Sequence, residues 1–598
     1  MVLIVMLSPC ISARLSVACL LAITLILPGG TWAASACRQG VDAHIWIAPL
    51  KPLPGERLRI MAVATDADLK EILVTDPSGR QTKVSAVRGG GPPWSLRGMV
   101  SRLNRGSYRI ETQRAGRVRA CTEVTIGGGA GDRSSGEWDL AAQAFYAAWI
   151  EHLFDAPPER SLSFPSLEPV LRDPERNFLY DYLNEGEDRR LPAEPDCADL
   201  PYFLRSYFAW KLGLPIGYRA CSRGSSSRPP SCKAPKIEDA FAHSPAPAGT
   251  FRTVSRDIMN TVHSGSGRTA LRDDATDFYP VPLERSALWP GIVFADPYGH
   301  ILVLVKWVPP RAGRSGRLLA VDAQPDNSVS RKRFWEGTFL FAPTQSAGPG
   351  FKAHRPLVRI GARGLVRPLT NGALDGWSGH PPYSTEQERL TPDDFYARME
   401  RLINPGGLDP EAAYSATLEA LMEQLETRVT SVNNGEKYMR THPGTIPMPR
   451  GLAIFETTGP WEDYSTPSRD MRLLIAMKVL EGLPDRIRRY PELYVLRGER
   501  PSAAAARIER LHDRRTRERT ITYTRSDGTP WRLSLAEIYE RRPGLEVGYN
   551  PNDCVERRWG ASSGTSDYAT CRRHAPAKQQ ARMKEYRPWF RETRRPPR

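Results

Sequence analysis

Three residues of this 598-residue chain have the type and position to carry nucleophilic chemistry: Cys197, His300 and Asp322. A cysteine attacks as its thiolate, which a helix N-terminus and a neighbouring imidazole both favour. Cys197 lies in Pro195-Asp196-Cys197-Ala198-Asp199-Leu200, where the Pro-Asp pair signals a helix start, and the run ends at the stop signal Gly213-Leu214-Pro215. Leu200, Phe203, Leu204, Tyr207, Phe208 and Leu212 recur at helical spacing. They predict one apolar face packed on a sheet, with Cys197 in the first turn and pointing out of that face. His300 follows the turn Asp296-Pro297-Tyr298-Gly299 and opens the strand-like run Ile301 to Val305, while Asp322 ends a second run, Leu318 to Val321. A nucleophile, a base on a rigid strand and a carboxylate that orients the base form a catalytic triad. Each residue alone also has an ordinary reading, as a core cysteine, a turn histidine or a strand-end cap. It is their order and placement together that point to chemistry.

The cysteine count isolates the same thiol. Residues 1–36 have the layout of a secretory signal: Arg14, an apolar run from Leu15 to Leu27, then Ala33-Ala34-Ser35-Ala36 as a small-residue cleavage site. The run is shorter than the ~18 apolar residues a membrane span requires, so a retained anchor is the lesser expectation. The mature chain is expected in the periplasm or secreted, with no transmembrane segment. Ala34-Ser35-Ala36-Cys37 loosely resembles a bacterial lipoprotein box without its leucine, which ranks lipidation of Cys37 second. Of nine cysteines, Cys10 and Cys19 would leave with the signal. In an oxidising compartment the others are expected to pair by position, Cys37 with Cys121, Cys221 with Cys232 and Cys554 with Cys571, and Cys197 is left over.

The elements that must hold these residues divide the chain into several modules, as its length requires. Residues 37–127 read as short alternating strands separated by turn signals such as Pro54-Gly55 and Asp76-Pro77-Ser78-Gly79, the pattern of an immunoglobulin-like β-sandwich in which His44 is a strand residue. Gly127 to Gly131 is a linker by composition. Residues 135–345 combine helical stretches, Trp138 to Phe154 and Leu167 to Leu183, with strands around His300 and Asp322, and predict an α+β domain. Within it, residues 222–288 are polar and read as an insertion pinned by the Cys221–Cys232 bridge, a candidate lid. Residues 376–598 are mainly helical, with a hairpin at Thr520 to Leu533 and a basic tail, Arg572 to Arg598, expected to fray.

These residues bear a likeness to a known group. Cys197 on a helix ending in Leu212-Gly213-Leu214-Pro215-Ile216-Gly217-Tyr218-Arg219, then Gly299-His300 with Trp307 downstream, then Val321-Asp322, resembles the transglutaminase-like, papain-fold cysteine enzymes of bacteria. The resemblance covers roughly residues 190–340. It implies Cys197 as nucleophile, His300 as general base and Asp322 as its orienter, in a hydrolase or acyltransferase that cuts amide bonds through a thioester. The interval from Cys197 to His300 is longer than is usual in that family. Trp289-Pro290-Gly291-Ile292-Val293 leading to Gly299-His300 is also similar to the NlpC-like cell-wall peptidases, which would keep the nucleophile and base but leave the third residue open. A non-catalytic envelope scaffold is the reading from another class.

No cofactor or metal is expected. The sequence has no phosphate loop, no dinucleotide fingerprint and no Cys-x-x-Cys or His-x-x-x-His spacing. Net charge is +16, and residues 501–598 hold 22 Lys and Arg against 12 Asp and Glu. Together with export, this favours an anionic cell-envelope polymer over nucleic acid as the partner of the basic end. Peptide or peptidoglycan stem amides are the expected substrates, because the compartment offers them.

Overall fold

The computed structural model describes residues 37–596, apart from 129–135, 242–245, 312–313, 325, 362–363 and 378. The expected signal at residues 1–36 lies outside the described residues, as do Gly129 to Gly131 of the linker. From Arg38 onward the chain forms one compact unit. It has an all-β N-terminal region, a mixed α/β middle and a mainly helical C-terminal part.

The N-terminal region has eight strands: β1 Ala43–Ala48, β2 Leu58–Ala64, β3 Glu71–Thr75, β4 Gln81–Val84, β5 Ala86–Arg88, β6 Trp94–Val100, β7 Gly106–Arg114 and β8 Arg117–Ile126. They form two antiparallel four-stranded sheets, in the orders β1-β2-β6-β5 and β4-β3-β7-β8. Period-two alternation turns one face of each sheet inward, so Ile45, Ile60, Ile72, Val74 and Ile110 share one core. His44 is a strand residue, opposite Val63. From the outer face, Trp46 stacks on Phe145 of the middle region with ring centroids 4.3 Å apart.

The middle region is built on a seven-stranded antiparallel sheet. Its order is Phe278–Pro280, Gly350–His354, Val293–Ala295, Ile301–Val308, Arg317–Ala323, Val329–Arg333 and Ser163–Phe164. Phe278–Pro280 and Gly350–His354 come from within the polar segment and from beyond residue 345, so the sheet draws on more of the chain than local pattern shows. The polar segment also supplies the helix Ala248–Thr261. Its Phe251 stacks on Trp210 at 4.7 Å and meets Phe203 edge-on at 5.7 Å.

The helix that follows Cys197 spans Leu200–Leu212 and stops at Gly213, whose φ of 72° is the left-handed conformation that glycine adopts most readily. All thirteen of its residues are buried, not one face alone. One side packs on the helix Leu140–Leu153 through Phe208 against Phe145 and Tyr207 against Trp149, and the other on Phe251. Each large apolar side chain so buried contributes about 1.5–3 kcal/mol. Its two charged residues are compensated. Arg205 lies 3.1 Å above the Trp138 ring and donates to Gln143, and Lys211 pairs with Glu187 at 2.5 Å and Asp188 at 2.6 Å.

The C-terminal part packs helices Pro410–Thr441, Pro467–Glu481, Pro501–Glu518 and Ala577–Arg591 around a second core. Strands Thr520–Thr524 and Pro530–Ser534 pair there as a hairpin. A buried bidentate pair, Arg428 with Asp470, ties the first two helices with both contacts at 2.8 Å. As far as the described residues go, the basic tail is structured: the helix to Arg591 is followed by a half-buried Arg595 packed on Tyr298 and Phe455. Among the described residues, no helix is long and apolar enough to cross a membrane.

Candidate active site

Cys197 occupies the turn just before the helix. The Asp196 carboxylate accepts hydrogen bonds from the backbone N–H groups of Ala198 at 2.8 Å and Asp199 at 3.0 Å, and the Asp196 carbonyl accepts from Leu200 at 3.0 Å. Asp196 thus closes the turn that leads into the helix and fixes the Cys197 backbone, while Asp199 at the helix start itself has no side-chain capping bond. The cysteine is partly exposed and is the free cysteine among the described residues. Cys221 is bonded to Cys232 and Cys554 to Cys571, and Cys37 and Cys121 are both disulfide-bonded. These bridges fit an oxidising, non-cytoplasmic compartment.

The base and its carboxylate are placed by strand register. Val303 lies opposite Val321 in an antiparallel pair. His300, just before the first of these strands, and Asp322, near the end of the second, therefore come to the same end of the pair. The His300 Nε2 to Asp322 Oδ2 distance is 2.8 Å. That bond commits Nε2 and leaves Nδ1 as the ring nitrogen available to a thiol.

Asp322 is buried and well provided with donors. Gln324 donates to Oδ2 at 2.8 Å, and Ser330, directly opposite on the next strand, donates to Oδ1 at 2.9 Å. Lys332 stands 4.0 Å from Oδ1. Burial opposes ionisation of Asp322, but Lys332 and the His300 and Ser330 bonds outweigh it and hold the carboxyl below its ordinary range. Gln324, Ser330 and Lys332 were not singled out by the sequence. Their only signal was proximity to the end of the Asp322 strand.

Cys197 has the opposite electrostatics. Burial, reinforced by the carboxylates of Asp196, Asp322, Asp199 and Asp296, pushes its thiol well up. Burial and Asp196 also push Asp199 up to about 7. An isolated thiolate is therefore disfavoured here. A thiolate formed by passing its proton to a neighbouring base would add no net charge to the site and so escape part of that penalty.

Cys197, His300 and Asp322 line one cleft of about 2140 Å³ between the middle region and the C-terminal helices. His263 and Ser264 reach its wall from the polar segment, and Arg472 and Arg595 from the C-terminal part. Among the described residues, Cys554, Glu556 and Cys571 have donor atoms within 4.8 Å of one another. Their two sulfurs are joined in a disulfide and cannot serve as thiolate ligands. No protein-family model matches the chain, and no curated protein sequence matches it.

Proposed function

We propose that the protein is an exported cysteine hydrolase or acyltransferase acting on amide bonds, similar in chemistry to the transglutaminase-like, papain-fold enzymes. The observation that carries this reading is the His300–Asp322 bond in the same cleft as the one free cysteine among the described residues. In the proposed reaction, Nδ1 of His300 takes the Cys197 proton as Sγ attacks the amide carbon. The tetrahedral intermediate then expels the amine, which takes that proton from His300, and leaves a thioester on Cys197. Water or a second amine, deprotonated by His300, resolves the thioester and frees the thiol. The scheme needs Sγ and Nδ1 to approach within about 3–4 Å in the working complex. An NlpC-like peptidase would use the same first steps with peptidoglycan stem amides as substrates. On this reading the two four-stranded sheets form an immunoglobulin-like binding platform, and the arginine-rich C-terminal surface is the contact for an anionic envelope polymer.

A second reading, a scaffold with an unreactive thiol, is favoured by the surroundings of Cys197, where burial and four nearby carboxylates oppose the thiolate. Intact-mass spectrometry separates the two. On incubation with a peptide library and with purified peptidoglycan, the enzyme reading expects an acyl adduct that hydroxylamine removes and that Cys197→Ala lacks. It also expects new amino termini or new amide cross-links. No adduct and no product with either substrate, from protein shown to be folded, supports the scaffold.

A further inference from the structure

His300 is delivered to the cleft by a tight turn. The Asp296 N–H donates to the His300 carbonyl at 2.9 Å, and the Gly299 N–H to the Asp296 carbonyl at 3.2 Å. The Asp296 carboxylate, fully buried, accepts from the Tyr298 N–H at 2.5 Å and the His300 N–H at 3.4 Å. Gly299 sits at a φ of 105°, and a Cβ there would lie 2.9 Å from Ser264 Oγ. The turn therefore has little freedom to remodel.

Three guanidinium groups grip this turn from outside. Arg268, in the middle region, donates to the Pro297 carbonyl at 3.4 Å. The other two belong to the C-terminal part. Arg472 donates to Asp296 Oδ2 at 3.1 Å from 176 positions away, and Arg595 donates to the Tyr298 carbonyl at 3.2 Å from 297 positions away. Both are anchored in their own region. Arg472 lies two residues after Asp470, which is locked to Arg428, while Arg595 also donates to Ser468 at 3.1 Å and lies 3.7 Å from Glu456.

We propose that Arg472 and Arg595 are positioning residues, through which the C-terminal helical part holds the Asp296–Gly299 turn and so sets the His300 imidazole against Asp322 and Cys197. The inference rests on the reading of Cys197 and His300 as a reacting pair. On this view the C-terminal helices complete the catalytic unit and are not an appended module. Arg472 has an additional effect: it neutralises Asp296, one of the carboxylates that oppose Cys197 ionisation.

The test is the pH–rate profile for alkylation of Cys197 by iodoacetamide in the full-length, disulfide-intact protein, with the melting temperature recorded for each variant. A displacement of about 1 Å in a reacting group costs about a hundredfold. Arg472→Gln is expected to slow alkylation near neutral pH by about ten- to a hundredfold, and Arg595→Ala by about tenfold. Arg472→Lys is expected to recover most of the rate, because it restores the charge opposite Asp296. Should Arg472→Gln fail to fold, Arg595→Ala, which leaves the Arg472–Asp296 pair in place, is judged by the same criteria. Folded variants whose profiles superimpose on the wild type, while His300→Ala still slows the reaction, would overturn the positioning role and leave the triad standing. If His300→Ala changes nothing, the triad reading itself fails and takes this inference with it.

Discussion

Replacing Asp322 separates its charge from its shape. In Asp322→Asn the amide oxygen can keep the His300 bond while the amide nitrogen turns to Ser330, whose hydroxyl can accept as well as donate. What is lost is the charge, and a charge-assisted bond is roughly twice as strong as a neutral one. With charged bonds worth about 1.5–3 kcal/mol and neutral ones about 0.5–1.5, the imidazolium loses about 1–1.5 kcal/mol, or about tenfold in the population of the thiolate–imidazolium pair. Asp322→Ala removes the whole bond, and the loss rises to about ten- to a hundredfold. The assay is Cys197 alkylation under pseudo-first-order conditions across pH. Because Asp322 is held below its ordinary value, its support is fully present above about pH 3.8 and is lost as pH falls through its lower folded value. The ratio of wild-type to Asp322→Ala rates should therefore be flat near neutrality and shrink only in strong acid. An Asp322→Ala protein that is folded and reacts as fast as wild type at neutral pH would refute the assignment of Asp322 as the orienter.

The remaining predictions concern the frame around the site. His152, buried on the helix that meets the N-terminal sheets and 3.0 Å from Ser95 Oγ, is lowered to about 3, chiefly by burial and then by Arg97. Its contribution to stability is complete above about pH 6.5 and falls as pH drops toward 3, because the unfolded chain takes up the proton first. Urea unfolding should show about 2–3 kcal/mol lost between about pH 6.5 and 4.5 from this group, and His152→Gln should flatten that slope; an unchanged slope would remove His152 as the cause. Lys211→Met leaves Glu187 and Asp188 buried without their cation and should cost about 3–5 kcal/mol by denaturant titration, and a loss under about 1 would show the pair to be dispensable. Gly213→Ala must adopt a positive φ at the helix stop and should cost about 1–2 kcal/mol, visible as a lowered urea midpoint at constant slope.

What the sequence made legible was local. The stop at Gly213 and the turn at Asp296–Gly299 each depend on a few adjacent residues, and the structure has both, whereas the helix begins only at Leu200, so Cys197 lies in the turn ahead of it and not in its first turn. The all-β, mixed and helical succession was legible for the same reason. Full burial of the Cys197 helix was not, because Arg205 and Lys211 look solvent-facing until Trp138, Glu187 and Asp188 are seen around them. Nor was the placement of Gly350–His354 between Phe278–Pro280 and Val293–Ala295, a pairing of distant segments. The grip of Arg472 and Arg595 on the histidine turn is the extreme case. An arginine's spacing carries no mark of a partner hundreds of residues away.

The central claim is that Cys197 reacts as half of a pair with His300, and its most direct test is the pH dependence of Cys197 alkylation in the wild type and in His300→Ala. Burial and carboxylates push an unassisted thiol at this position up, so without a partner it should react only in alkaline solution. In the wild type the rate should stay high through neutral pH, and in His300→Ala it should collapse to a single alkaline titration. A wild-type profile that already shows only the alkaline titration, unchanged by His300→Ala, would contradict it.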